Sequence, residues 1–147
     1  MNINVNGKAV EAYDLLMKKD NALDIISGKK TLEIRVFSNH YATMFTDPKQ
    51  LAKNEELRKV GKDDDCVEPL KSIQYIHFHN YNNSWSLDVK IDEIGLSSMT
   101  EEDIEDLHDF GFHDYDNDWQ QYKDKDIEDI PMFYWMHIKE ILGKENI

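Results

Sequence analysis

Residues 84–94, SWSLDVKIDEI, place Trp85, Leu87, Val89 and Ile91 on one face of a strand and mostly polar residues on the other. The preceding stretch, SIQYIHFHNY, also reads as a strand, and the Asn-rich NNS joins the two as a hairpin turn. Toward the C-terminus PMFYWMHIKEIL is apolar at nearly every position, the pattern of a strand buried on both faces. Strands that follow one another without regular crossover helices argue against a doubly wound parallel sheet. The expected fold is α+β: a small, partly closed β-barrel of mostly antiparallel or mixed strands with peripheral helices.

The other elements fit around that sheet. AVEAYDLLMKK reads as a first strand. DNALDIISG reads as a short helix, with Asp20 as N-cap and Gly28 as its left-handed stop. From Thr31 to Phe37 the chain alternates: Leu32, Ile34 and Val36 point one way, and Thr31, Glu33, Arg35 and Phe37 the other. TDPKQLAKNEELRKVG predicts a helix capped by Asp47, with Pro48 in its first turn and Gly61 at its end. MTEEDIEDLHDFG predicts another, capped by Thr100, with acids in its first turn and Gly111 at its end. The following FHDYDNDWQQYKDKDIED is acidic and resists placement. At 147 residues the chain has room for one core, so a single domain over 1–147 is expected, with a helical insertion around 38–65.

The formal net charge is −13, and it is unevenly placed. Residues 1–75 carry twelve Lys and Arg against twelve Asp and Glu, whereas residues 76–147 carry five against eighteen. Long nucleic acids call for a broad basic surface, which this chain lacks. Any nucleic-acid contact is therefore local, and the first half is the place for it. No apolar run approaches the ~18 residues of a membrane span, and the N-terminus lacks the basic flank and long apolar stretch of a signal peptide. The single Cys66 allows no intrachain disulfide, and the expected location is the cytoplasm. Cys66 follows three consecutive aspartates, which disfavour a thiolate, so it is not read as a nucleophile.

The cations of the first half gather in SGKKTLEIR, residues 27–35. Glu33 and Arg35 share a strand face, ~6.5–7 Å apart, and Lys30 stands where the strand begins. A carboxylate accepts and a guanidinium donates in a planar fork, so with a lysine they can hold a nucleobase edge and a phosphate. The competing reading is structural: Lys29 and Lys30 complement a helix C-terminus, and Glu33–Arg35 is an exposed ion pair that adds little stability. Tyr81 and Trp85, beside the polar hairpin turn, are candidate platforms for base stacking, whereas Phe133, Tyr134 and Trp135 read as core. His77 and His79 lie at i, i+2 and His137 on the last strand, but no third ligand has suitable local spacing, so no metal is expected. The acidic run from residue 106 to 126 reads as a solvated face.

GKKTLEIR resembles the motif of ASCH domains: glycine, any residue, lysine, two of any kind, glutamate, any, arginine. Gly28, Lys30, Glu33 and Arg35 fill the four places. The order around it is also similar, with a strand and short helix before, then a hairpin, a TEED…GF helix and an aromatic-rich closing strand; residues 9–37 and 73–142 carry most of this likeness. The resemblance implies a PUA-like β-barrel with helices at its side and a cleft beside the motif that takes RNA or a modified nucleobase or nucleoside. Gly28, Lys30, Glu33 and Arg35, joined by Tyr81 and Trp85, would form that site. One branch of the family consists of amidohydrolases acting on N4-acetylcytidine, in which a lysine at the place of Lys30 is the general base. Its nucleophilic threonine is replaced here by Glu33, and its later glutamate has only Asp109 as a counterpart. The leading expectation is thus a binding module for a nucleobase, nucleoside or short RNA, without a cofactor. The alternative is an amidohydrolase with Lys30 as base, and the third is a protein-interaction domain using the acidic half.

Overall fold

A computed structural model describes all 147 residues. Its strands are β1 (Asn2–Val5), β2 (Lys8–Glu11), β3 (Tyr13–Leu16), β4 (Leu32–Val36), β5 (Tyr75–His79), β6 (Ser86–Ser98) and β7 (Met132–Glu145). The α-helices are α1 (Lys19–Ile26), α2 (Asn39–Phe45), α3 (Pro48–Lys59) and α4 (Glu101–Asp106), with short 3₁₀ turns at Asp63–Asp65, Leu107–Phe110, Asp118–Tyr122 and Ile127–Asp129. The protein is α+β. Five strands form one curled mixed sheet in the order β3-β5-β6-β7-β4, and β1 and β2 form a separate hairpin. No helix is long and apolar enough to cross a membrane.

Two compact units result. One comprises Met1–Val36 with Ile73–Ile147, and the other is Phe37–Ser72, the stretch that contains the expected helical insertion. Within the smaller unit, Asp47 caps α3 by accepting from the Lys49 and Gln50 N–H groups, and the buried Asn54 amide binds both backbone groups of Val67. The helix α2, capped by Ser38, is an addition to the sequence reading.

In the larger unit the sheet is built on apolar alternation. Ile76 pairs with Val89 and Phe78 with Leu87, and all four are fully buried. β3 runs parallel to β5 and sets Tyr13 and Leu15 beside Ile76 and Phe78. β7 is buried on both faces only over 133–138, and its second half is largely exposed. One side of that buried stretch meets a second cluster of Leu32, Ile104, Leu107 and Phe133, flanked by Phe110, Phe112, Tyr115 and Trp135. Gly95 lies opposite Trp135, whose indole rests directly on it, so a Cβ there would strike the ring.

Two local expectations are corrected. AVEAYDLLMKK is not one strand but the end of the β1–β2 hairpin followed by β3. Asn6 and Gly7, both at positive φ, form the tight turn that β1 and β2 need. Asp20 is not the cap of α1; the cap position is Lys18, whose side chain makes no capping bond, and Asp20 instead lies in the first turn.

Candidate functional site

The motif begins at the end of α1. Gly28, at φ +81, donates its N–H to the Ile25 carbonyl, and Lys30 N–H donates to the Asp24 carbonyl. The left-handed glycine turns the chain sharply, and only a residue without Cβ does so at no cost. Thr31 then anchors the loop twice. Its carbonyl accepts from Ile138 N–H at 2.8 Å, and its hydroxyl donates to the Phe110 carbonyl at 2.9 Å.

From there β4 alternates. Leu32, Ile34 and Val36 pair with His137, Trp135 and Phe133 of β7, while Glu33 and Arg35 pair with Met136 and Tyr134. Both Met136 and Tyr134 are fully buried, so Glu33 and Arg35 enter the interior of the curled sheet. The exposed ion pair of the competing structural reading is therefore replaced by a buried one: Glu33 is only 4% exposed. Arg35 Nε donates to Glu33 Oε1 at 3.3 Å, and its Nη2 donates to the Leu16 carbonyl at 2.7 Å. Lys30 Nζ lies 3.3 Å from Glu33 Oε2. That contact is ionic only, because the ammonium sits off the hydrogen-bonding direction and the buried Oε2 accepts no hydrogen bond. One carboxylate thus holds two cations, Lys30 at the cavity and Arg35 beside the Leu16 carbonyl of β3.

Lys30 also borders a cavity of about 280 Å³. On one side stand Asn21, Asp24, Lys29, Lys30, Leu32 and Ile34. On the other stand Phe110, Phe112, Asp114 and Tyr115. Phe110 is fixed against Trp135 and His137 (ring centroids 5.2 and 4.7 Å), and Tyr115 meets Phe112 and Phe133 edge-on. Burial, together with the charges of Asp114 and Asp118, pushes the Tyr115 phenol above its ordinary pKa, so it stays a hydrogen-bond donor. Aromatic rings and ammonium groups thus line one cavity, together with the amide of Asn21 and the carboxylates of Asp24 and Asp114.

Tyr81 and Trp85 do not join this cavity. They line a second, shallower one of about 630 Å³ with Leu16, Lys18, Lys19 and Asn80. Tyr81 is open there, at 86% exposed, but Trp85 is buried at 5%, contrary to the expectation for a residue beside a polar turn. Trp85 continues the apolar face of β6 into the core, and its backbone N–H donates to Asn80 Oδ1. Of the six candidate residues, the structure brings Lys30, Glu33 and Arg35 into one ionic group with Gly28 as its turn, and it sets the two aromatics elsewhere. Glu33 and Arg35 line neither cavity.

The strand histidines are each engaged by an aspartate: His77 with Asp88, His79 with Asp14 and His137 with Asp92. Cys66 Sγ lies 3.5 Å from the Asn54 carbonyl. Sequence reasoning missed the wall at 110–115, because Asp109, Asp114 and Asp116 in and beside it gave the stretch the look of a solvated face. The aromatic recurrence at 110, 112, 115 and 119 was the available signal. Comparison with protein-family models, curated proteins and solved structures finds no match to this chain.

Proposed function

We propose that this chain is an ASCH-like, PUA-related binding module for a nucleobase, a nucleoside or the end of a short RNA, held in the cavity between the motif loop and residues 110–115. The observation that carries this reading is the juxtaposition of Lys29 and Lys30 with Phe110, Phe112 and Tyr115 around one cavity. A base stacks on aromatic rings, and its carbonyls or a phosphate accept from ammonium groups. The cavity's volume is at the small end for ligand sites, which favours one nucleoside over a polymer. The net charge of −13 points the same way, since it repels a long polyanion. In this reading Lys30 contacts the ligand, and Glu33 and Arg35 are positioning residues that fix Lys30 and the strand beneath it.

The amidohydrolase reading ranks second on two observations. Lys30 is ion-paired to Glu33, which suits a donor rather than a proton acceptor, and the nearby Thr31 hydroxyl is committed to the Phe110 carbonyl. The test is a thermal-shift screen of the full chain against nucleosides, N4-acetylcytidine and nucleoside monophosphates, run beside a cytidine-release assay. Stabilisation by at least one nucleoside is expected, without turnover. Cytidine release at ~1 s⁻¹ or faster, an ordinary enzymatic rate, would establish the second reading instead.

A further inference from the structure

Outside this cavity, a different chemistry gathers in the acidic segment. The turn after α4 reverses the chain at Gly111, which takes φ +74 and donates its N–H to the His108 carbonyl. A second turn follows, in which Asp116 N–H donates to the His113 carbonyl. Together they bring His108, His113 and Asp116 to one point, where the ligand atoms of the three side chains lie within 4.8 Å of one another. Asp116 uses its two oxygens separately, Oδ1 2.6 Å from His108 Nε2 and Oδ2 3.2 Å from His113 Nδ1. The imidazole rings are 4.5 Å apart and tilted by 32°. Every other histidine of the sheet faces a single aspartate; only here do two imidazoles converge on one carboxylate.

We propose that His108, His113 and Asp116 form a binding site for a divalent transition-metal ion of the zinc type. Two imidazole nitrogens and one carboxylate oxygen are a borderline donor set, which selects zinc, nickel or copper over calcium and magnesium. Ligand atoms at ~2.0–2.2 Å from a tetrahedral ion stand about 3.3–3.5 Å from each other. From the present spacings the His108–Asp116 contact opens by less than an ångström, and the widest separation in the cluster, up to 4.8 Å, closes by about 1.5 Å at most. Each neutral ring can move its proton to its other nitrogen, so the metal-facing nitrogen offers a lone pair with no change in ring charge. The fourth position faces solvent, because His113 and Asp116 side chains are 60% and 37% exposed, and water fills it. The ligands bracket residues 110–115, so the bound ion clips together the aromatic wall of the cavity. The site itself stands whether or not that cavity takes a nucleoside.

The experiment is a titration of the ¹⁵N-labelled full chain with zinc chloride, followed at the imidazole nitrogens. The resonances of His108 and His113 are expected to shift together and saturate at one equivalent, with His40, His77, His79 and His137 unmoved and excess magnesium without effect. In parallel, Asp116→Asn and His113→Gln are each expected to weaken zinc binding by ~10-fold or more. Shifts spread across all six histidines, displacement by magnesium or no shift at any histidine would overturn the proposal. So would zinc affinity unchanged in both variants. The wild-type titration decides even if a variant fails to fold.

Discussion

Arg35 donates its Nη2 to the backbone carbonyl of Leu16 at 2.7 Å, and in doing so joins the two edge strands of the sheet, β4 and β3. Edge strands carry unpaired backbone groups that must be covered or bonded. Here a side chain from one edge bonds a carbonyl of the other, and the buried carboxylate of Glu33 neutralises its charge.

Arg35→Ala is therefore expected to destabilise the protein. Removing one partner of a buried pair costs ~3–5 kcal/mol. The lower end applies, because Lys30 remains beside Glu33 and the Arg35 side chain is 14% exposed. Urea melts of the two proteins measure it. A loss below ~1 kcal/mol, the range of an exposed pair, would mean that the bond to Leu16 adds little to the fold.

Leu32→Ala tests the opposite face of the same strand. Leu32 is 2% exposed among Ile104, Leu107 and Phe133, and emptying such a site costs ~2–5 kcal/mol. Equal stability of variant and wild type in the same melts would contradict the packing described.

Gly95→Ala probes the contact with Trp135. A methyl group at this position meets the indole ring, and overpacking costs ~1–3 kcal/mol. The Trp135 indole N–H also donates to Ser97 Oγ at 3.0 Å, which limits how far the ring can retreat. Near-ultraviolet circular dichroism of the tryptophans, read beside a thermal melt, is expected to change along with stability.

Tyr13 gives a pH dependence. Burial, with a smaller contribution from Glu11, holds its phenol well above the ordinary tyrosine value. The folded state thus keeps a proton that the unfolded state loses above pH ~10. Its contribution is complete below that pH and declines as the pH rises further. Melting temperature is expected to fall as the pH rises above ~10, and to fall less in Tyr13→Phe. An identical pH profile for the two proteins would contradict the burial of the phenol.

The features legible in the sequence were the local ones. The apolar face of Trp85, Leu87, Val89 and Ile91 is buried as its alternation requires. The caps Asp47 and Thr100 and the left-handed Gly28, Gly61 and Gly111 follow from side-chain chemistry within a few residues. The Asn6–Gly7 turn was equally local, a strong hairpin signal just before the stretch read as the first strand. What alternation could not give was the environment of each face. Glu33 and Arg35 are buried because the sheet curls around the face they share with Met136 and Tyr134, a tertiary event that their spacing does not encode. The cluster of His108, His113 and Asp116 has offsets of five and three, which match neither a helix nor a strand. Two consecutive turns create it.

On the proposed reading, the cavity between the motif loop and residues 110–115 takes a nucleoside-sized ligand. Backbone amide mapping of the ¹⁵N-labelled chain with cytidine, N4-acetylcytidine and adenosine tests it most directly. With at least one of them, saturable shifts are expected at residues 29–34 and 110–115, and they are expected to disappear in Phe112→Ala. Shifts confined to residues 80–85, beside Tyr81 and Trp85, or none with any of the three, would contradict it.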